Sequence, residues 1–156
     1  MRGIFFNEKA YGVLSNIAKH SVDLAESVVE ADILPKILLS LKDIDPLVRK
    51  QAATLVREVV KHTAELAQLV VSQGGVGALV EFIVDAEYVD SLSGVMALGY
   101  LAAYSETLAL AVIKSEAVSP LYSILANVCN VCHDSQNMNI LVCVIPALSS
   151  SSLNLD

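Results

Sequence analysis

The sequence predicts an all-α chain whose helices stack into an open-ended solenoid, and three observations lead there. Leu, Val, Ile and Ala dominate a composition that is 54% hydrophobic and 5% aromatic with no Trp, which suits helix-on-helix packing. Apolar positions fall into register when the chain is laid on itself at an offset of 42 residues. A hydroxyl residue recurs at that same offset, in Ser21, Thr63 and Ser105, where a helix needs an N-cap. At 156 residues the chain fits one domain.

The register runs without insertion or deletion. Leu14, Val56, Leu98 and Ile140 align, as do Ile17, Val59, Leu101 and Cys143. Leu24, Leu66 and Leu108 form another column, followed by Val28, Val70 and Val112. Leu34, Val76 and Val118 come next, then Ile37, Leu79 and Leu121, then Leu41, Ile83 and Leu125. A slip of one residue would scramble most of these columns. A helical period near 40–47 belongs to armadillo or HEAT solenoids. A short first helix followed by two longer ones favours the three-helix unit, so the expected fold is a right-handed armadillo-type α-solenoid of about three repeats.

The elements follow in chain order. Residues 1–12 read as a separate N-terminal segment, with Ile4, Phe5 and Phe6 able to cap the stack. Repeats occupy 13–128: the long helix of a first unit, full repeats at about 21–62 and 63–104, and a third from 105. The first helix of each unit starts behind Ser21, Thr63 or Ser105, with Asp23, Glu65 and Glu106 suiting the positive end of its dipole. It ends in the second repeat at Gly74-Gly75, where glycine tolerates positive φ. Second helices are expected at about Leu34–Leu41, Val76–Ile83 and Val118–Leu125. The long third helix begins behind Asp45-Pro46, proline in the first turn, and runs to Lys61. Residues 129–156 read as a diverged partial helix and a disordered Ser-rich tail, Ser149 to Asp156. A stack of this length buries its apolar faces only against its neighbours, so self-association through uncapped ends is expected.

The formal charge of −7 argues against nucleic acid, which needs clustered Lys and Arg. No Lys or Arg lies between His62 and Ile113, whereas Glu65, Glu81, Asp85, Glu87, Asp90 and Glu106 do, so a basic protein segment suits that stretch better than DNA or an anionic membrane. The start, Met1 to Lys9, is too short and too soon charged for a signal peptide. Ser93 to Ile113 has the hydropathy of a span, but Gly99, Tyr100, Tyr104, Ser105 and Glu106 interrupt it, so two buried helices are expected. Three Cys without a secretory signal fit a reducing, cytoplasmic setting.

Three segments carry a more specific resemblance: Lys19-His20-Ser21-Val22-Asp23-Leu24-Ala25-Glu26, Val56-Arg57-Glu58-Val59-Val60-Lys61-His62-Thr63-Ala64-Glu65-Leu66, and Met96-Ala97-Leu98-Gly99-Tyr100-Leu101-Ala102-Ala103-Tyr104-Ser105-Glu106. Over roughly residues 13–125 they resemble the armadillo repeats of the sperm-associated antigen six family of ciliary central-pair proteins. The first dozen residues and those after Leu125 depart from that pattern, as in a truncated or variant form. The resemblance implies a non-catalytic scaffold of the axonemal central apparatus, in the cytoskeleton of motile cilia and flagella. Its implied partners are central-pair components or microtubules. The other reading is a general peptide-binding armadillo adaptor in the cytosol.

The concave face of an armadillo stack is lined by third helices, where nuclear-import receptors place a Trp and an Asn in each repeat. The Trp position falls here on Gly12, Thr54 and Met96, and the Asn position on Asn16, Glu58 and Tyr100. Only Asn16 is retained, so binding of import signals is not expected. These six are the candidate protein-binding residues, with Glu58 and Tyr100 giving the groove acidic and aromatic character. On a solvated face, Glu58→Ala is expected to leave stability nearly unchanged.

No catalytic constellation emerges. His20, His62 and Tyr104 recur with the fold as polar tips of the long helices, His suiting the negative end of the dipole. Gly74-Gly75-Val76-Gly77 lacks the Lys-Ser/Thr of a phosphate loop. Cys129-Asn130-Val131-Cys132-His133 matches the haem-attachment pattern, with Met138 as an axial candidate or Cys143 as a fourth zinc ligand. Adjacent Cys132 and His133 rarely close one tetrahedron, and the register puts the cluster in a connection between helices. Reduced bystander cysteines are therefore the expectation, with no cofactor.

Overall fold

A computed structural model of the chain describes residues 2–86 and 88–131. These residues form nine helices and no strand: α1 Arg2–His20, α2 Val22–Glu30, α3 Leu34–Ser40, α4 Pro46–Val60, α5 Ala64–Ser72, α6 Gly75–Asp85, α7 Tyr88–Tyr104, α8 Glu106–Lys114 and α9 Val118–Val131.

The helix starts follow from local chemistry. The side-chain oxygens of Ser21, Thr63 and Ser105 each accept a hydrogen bond at 3.2 Å, from the backbone N–H of Leu24, Leu66 and Leu108. Each satisfies one of the N–H groups a first turn leaves without a helical partner. Asp45 caps α4 by accepting from the Leu47 N–H at 2.9 Å, with Pro46 in the first turn. Between first and second helices the backbone turns through the left-handed region at Asp32, Gly74 and Glu116, with φ of 57°, 79° and 60°. These positions share one register, so the turn is a property of the repeat.

Packing sets the helices in rows. The long helices α1, α4 and α7 pack side by side, α3, α6 and α9 stack in a second row, and α5 packs on α8. Within a unit, α7 packs on both α5 and α6, as α4 packs on α2 and α3. The aligned columns supply the core: Leu34, Ile37, Leu41, Val56, Val59, Leu79, Leu98 and Leu101 are all buried. Each such side chain contributes about 1.5–3 kcal/mol by leaving water. No single described helix is long and apolar enough to cross a membrane; α5 and α6 reach that composition together but meet at 80°. The apolar stretch from Ser93 is broken where α7 ends at Tyr104 and Ser105 caps α8.

Two expected boundaries shift. Residues 2–12 are not a separate segment, because α1 is continuous from Arg2; no residue between Arg2 and His20 is a proline that would break it. Cys129 lies inside α9 rather than in a connection, since that helix continues six residues beyond Leu125, to Val131. Cys132, His133, Met138, Cys143 and the Ser-rich tail lie outside the described residues.

Candidate protein-binding face

The third helices repeat one facing pair along their row. A side chain at Gly12 on α1 would point to Gln51 Oε1 on α4, 3.6 Å from its Cβ. One repeat later, Thr54 Oγ1 on α4 lies 3.1 Å from Ser93 Oγ on α7. Thr54 also donates to the Lys50 carbonyl at 2.8 Å. The same row carries a Lys50–Asp90 ion pair at 2.7 Å and a 4.0 Å approach of Arg57 Nη1 to Met96 Sδ. Polar cross-links thus run along the outer edge of the row while Val56, Val59, Leu98 and Leu101 seal it beneath.

Of the six candidates, Gly12, Thr54, Met96 and Tyr100 are half-buried and Asn16 is exposed. Glu58 departs from expectation: it is 4% exposed, where a solvated groove residue was expected. Its carboxylate accepts from Arg57 Nε at 3.0 Å and pairs with Lys61 one turn on. Burial by itself raises the Glu58 carboxyl, but hydrogen bonds from Lys61 and Arg57, with their positive charges, hold it below the ordinary glutamate value. Sequence spacing could not reveal this, because Glu58 stands beside the polar stripe of α4, at the edge of its apolar face, where an exposed and a buried glutamate look alike. The residues it missed were Arg57 and Lys61. With Lys50 and Thr54 they form an i, i+4, i+7, i+11 stripe, and that spacing was available as a signal.

The face is consequently not acidic. Glu58 is buried between two cations, Asp90 is paired with Lys50, and Glu81 of α6 is paired with Lys42 in the turn after α3. The acids of the Lys-free stretch thus partly serve to tie repeats together. Arg57 and Lys61 each remain about a quarter exposed and outnumber the one carboxylate they share.

The polar tips of the long helices are not equivalent either. His20 is exposed, but the His62 ring Nε2 sits 2.6 Å from the carbonyl oxygen of Ala18, in the last turn of α1. A carbonyl only accepts, so Nε2 carries the proton, and His62 satisfies an end carbonyl of the preceding repeat's helix. In the third position, burial raises the Tyr104 phenol above its usual value, helped by Tyr100 and Glu65 nearby. Among the described residues no group of three or more His, Cys, Asp or Glu side chains is placed to hold a metal ion.

No family model matches the chain, and no curated protein does. Solved structures share its fold. A designed armadillo repeat protein superposes with a TM-score of 0.81 at 22% identity, over 92% of this chain and 58% of its own. An engineered protein gives 0.79 at 20% identity, over 92% and 56%. A designed armadillo repeat protein in complex with the peptide (KR)4 gives 0.72 at 20% identity, over 96% and 69%. The chain spans a little more than half the length of the first two. Identities this low carry the fold and nothing finer: the chain is an all-α, armadillo-type solenoid.

Proposed function

We propose that the chain is a non-catalytic scaffold that binds a partner protein along the α1–α4–α7 face. The observation that supports this reading is the continuous strip of cross-linked third helices, topped by Thr54, Arg57, Lys61, Met96 and Tyr100. Such a strip offers hydrogen-bonding and cationic groups on a rigid backing, which lowers the ordering cost of binding. The partner class that suits it is an extended protein segment with carboxylates to meet Arg57 and Lys61, rather than a basic one such as the (KR)4 peptide held by a designed neighbour.

The finer reading places this scaffold in the axonemal central apparatus of motile cilia and flagella, with central-pair components or microtubules as partners. It is supported by the three segments around Lys19–Glu26, Val56–Leu66 and Met96–Glu106 that resemble a ciliary armadillo family. The second reading, a cytosolic peptide-binding adaptor, is supported by the peptide complex among the structural neighbours. A tagged copy expressed in multiciliated cells separates them. Enrichment in isolated axonemes with identified central-pair or tubulin partners supports the ciliary role, and a diffuse cytosolic signal sinks it. An Arg57→Glu, Lys61→Glu variant that folds normally yet keeps every partner would overturn the assignment of the face.

A further inference from the structure

The first helices α2, α5 and α8 carry acids that the fold does not pair. Asp23, Glu26, Glu30, Glu65 and Glu106 are all exposed, and none of the five forms an ion pair among the described residues. Among the described residues of these helices the one cation is Lys114, in the last turn of α8. Glu58, Glu81 and Asp90, on the second and third helices, each meet a Lys instead. The first-helix row therefore keeps a free negative charge that the other rows have spent on tying repeats together.

An apolar groove lies within the same row. Between the facing sides of α5 and α8 is a space of about 510 Å³, walled by Ala64, Leu69 and Leu108, with Glu65 and Gln68 at its polar edge. Its size falls in the range of binding clefts. Leu69 is 37% exposed there. Its equivalents are Ser27 on α2 and Ala111 on α8, so the repeat does not require a large apolar side chain at that position. One unit earlier, Glu65, Gln68, Leu69 and Ser72 become Asp23, Glu26, Ser27 and Glu30. The side of α2 turned towards α5 is thus acidic where the side of α5 turned towards α8 is apolar. Packed helices stand about 8–10 Å apart, which sets the apolar slot and the acidic strip side by side.

We propose that the first-helix row docks a basic protein segment, which sets one apolar side chain between α5 and α8 and lays Lys or Arg along Asp23, Glu26, Glu30 and Glu65. Charge complementarity selects this occupant: the slot is edged by unpaired carboxylates, and no Lys or Arg stands between His62 and Ile113 to oppose it. The apolar anchor against Leu69 supplies most of the affinity, while the carboxylates steer the segment and reject anionic partners. This surface is separate from the α1–α4–α7 face and takes the opposite charge, so either reading can fail without the other.

Fluorescence anisotropy on the full 156-residue chain is the test, with two short labelled peptides. One is made of Lys and Arg alone, and the other is the same peptide with one Leu at its centre. The wild type is expected to bind the Leu-bearing peptide about tenfold more tightly, the worth of one apolar side chain leaving water. Binding of both is expected to weaken as salt is raised. Leu69→Gln is expected to abolish the preference and keep the salt dependence. Glu26→Gln with Glu65→Gln is expected to weaken both peptides severalfold and keep the preference. All three positions are exposed, so each variant is expected to retain its helical signal. Met96→Ala with Tyr100→Ala, on the third-helix face, is expected to leave both affinities unchanged. Three results overturn the proposal: a wild type that binds neither peptide or both equally; a Leu69→Gln variant that keeps the preference; or a Met96→Ala, Tyr100→Ala variant that loses it with its helices intact, which would put the peptide on the third-helix face.

Discussion

The two complete units share their buried columns and differ in the faces of their long helices. Val56, Val59 and Ile37 in one stand where Leu98, Leu101 and Leu79 stand in the other, all buried. On the outer strip the likeness ends. Lys50, Thr54, Arg57 and Glu58 of α4, with Lys61 capping its end, correspond to Leu92, Met96, Gly99, Tyr100 and Ala103 of α7. The first unit therefore presents ionic groups and the second apolar and aromatic ones, on the same backbone. Fold and binding chemistry are written largely in different columns of one repeat, and Glu58, buried at 4% exposure, is the position where the two meet.

The sharpest way to break that separation is at the core, where the two units should respond alike. Leu55→Ala in α4 and Leu101→Ala in α7 each remove a side chain with no solvent exposure. Each is expected to cost about 2–5 kcal/mol in urea unfolding, because lost burial adds to the cavity left behind. A loss confined to one unit would show that the repeats do not share their core equally.

A smaller effect is expected where the units differ. Glu58→Gln leaves Arg57 and Lys61 without their shared carboxylate; both reach solvent, so the expected cost is about 1–2 kcal/mol rather than that of an isolated buried charge. Tyr100→Phe at the equivalent place is expected to stay within about 0.5 kcal/mol. The Glu58 carboxyl is lowered in the folded chain from a reference value of 4.5. A lowered folded value means that the stabilisation is fully present above the unfolded value and is lost as pH falls through the folded one. Urea midpoints taken downward from pH 5 should therefore fall less steeply in Glu58→Gln than in the wild type. Equal slopes would remove Glu58 from the acid response.

Periodicity made the fold legible because the repeat forces each buried column to recur. Val28, Val70 and Val112, all buried, announce a helix face three times over, and Ser21, Thr63 and Ser105 announce its start. The candidate face was only partly legible. Position 58 could be located by register, but its burial depends on how α1 and α7 pack on either side of α4, which is tertiary information. The His62 bond to Ala18 spans 44 residues and could not be read from a helix tip. The start of α1 escapes the register for the opposite reason: residues 2–11 carry none of the aligned columns but contain no proline that would stop a helix.

The smallest expected effect lies at the turn all three units share. Gly74 adopts φ of 79° without steric cost, whereas Asp32 and Glu116 adopt 57° and 60° with a Cβ in place. Asp tolerates this region better than Glu, because its short side chain bonds locally to backbone. Glu116→Gly should therefore relieve more strain than Asp32→Gly. Against that relief stands the added freedom glycine gives the unfolded chain, of about 0.4–1 kcal/mol. The net expectation is a gain of about 0.5 kcal/mol for Glu116→Gly, near zero for Asp32→Gly, and a loss of about 1 kcal/mol for Gly74→Ala. Thermal melts of the three variants give the ranking directly. Equal responses at 32 and 116 would mean that the surroundings of each turn, not the residue within it, set the strain.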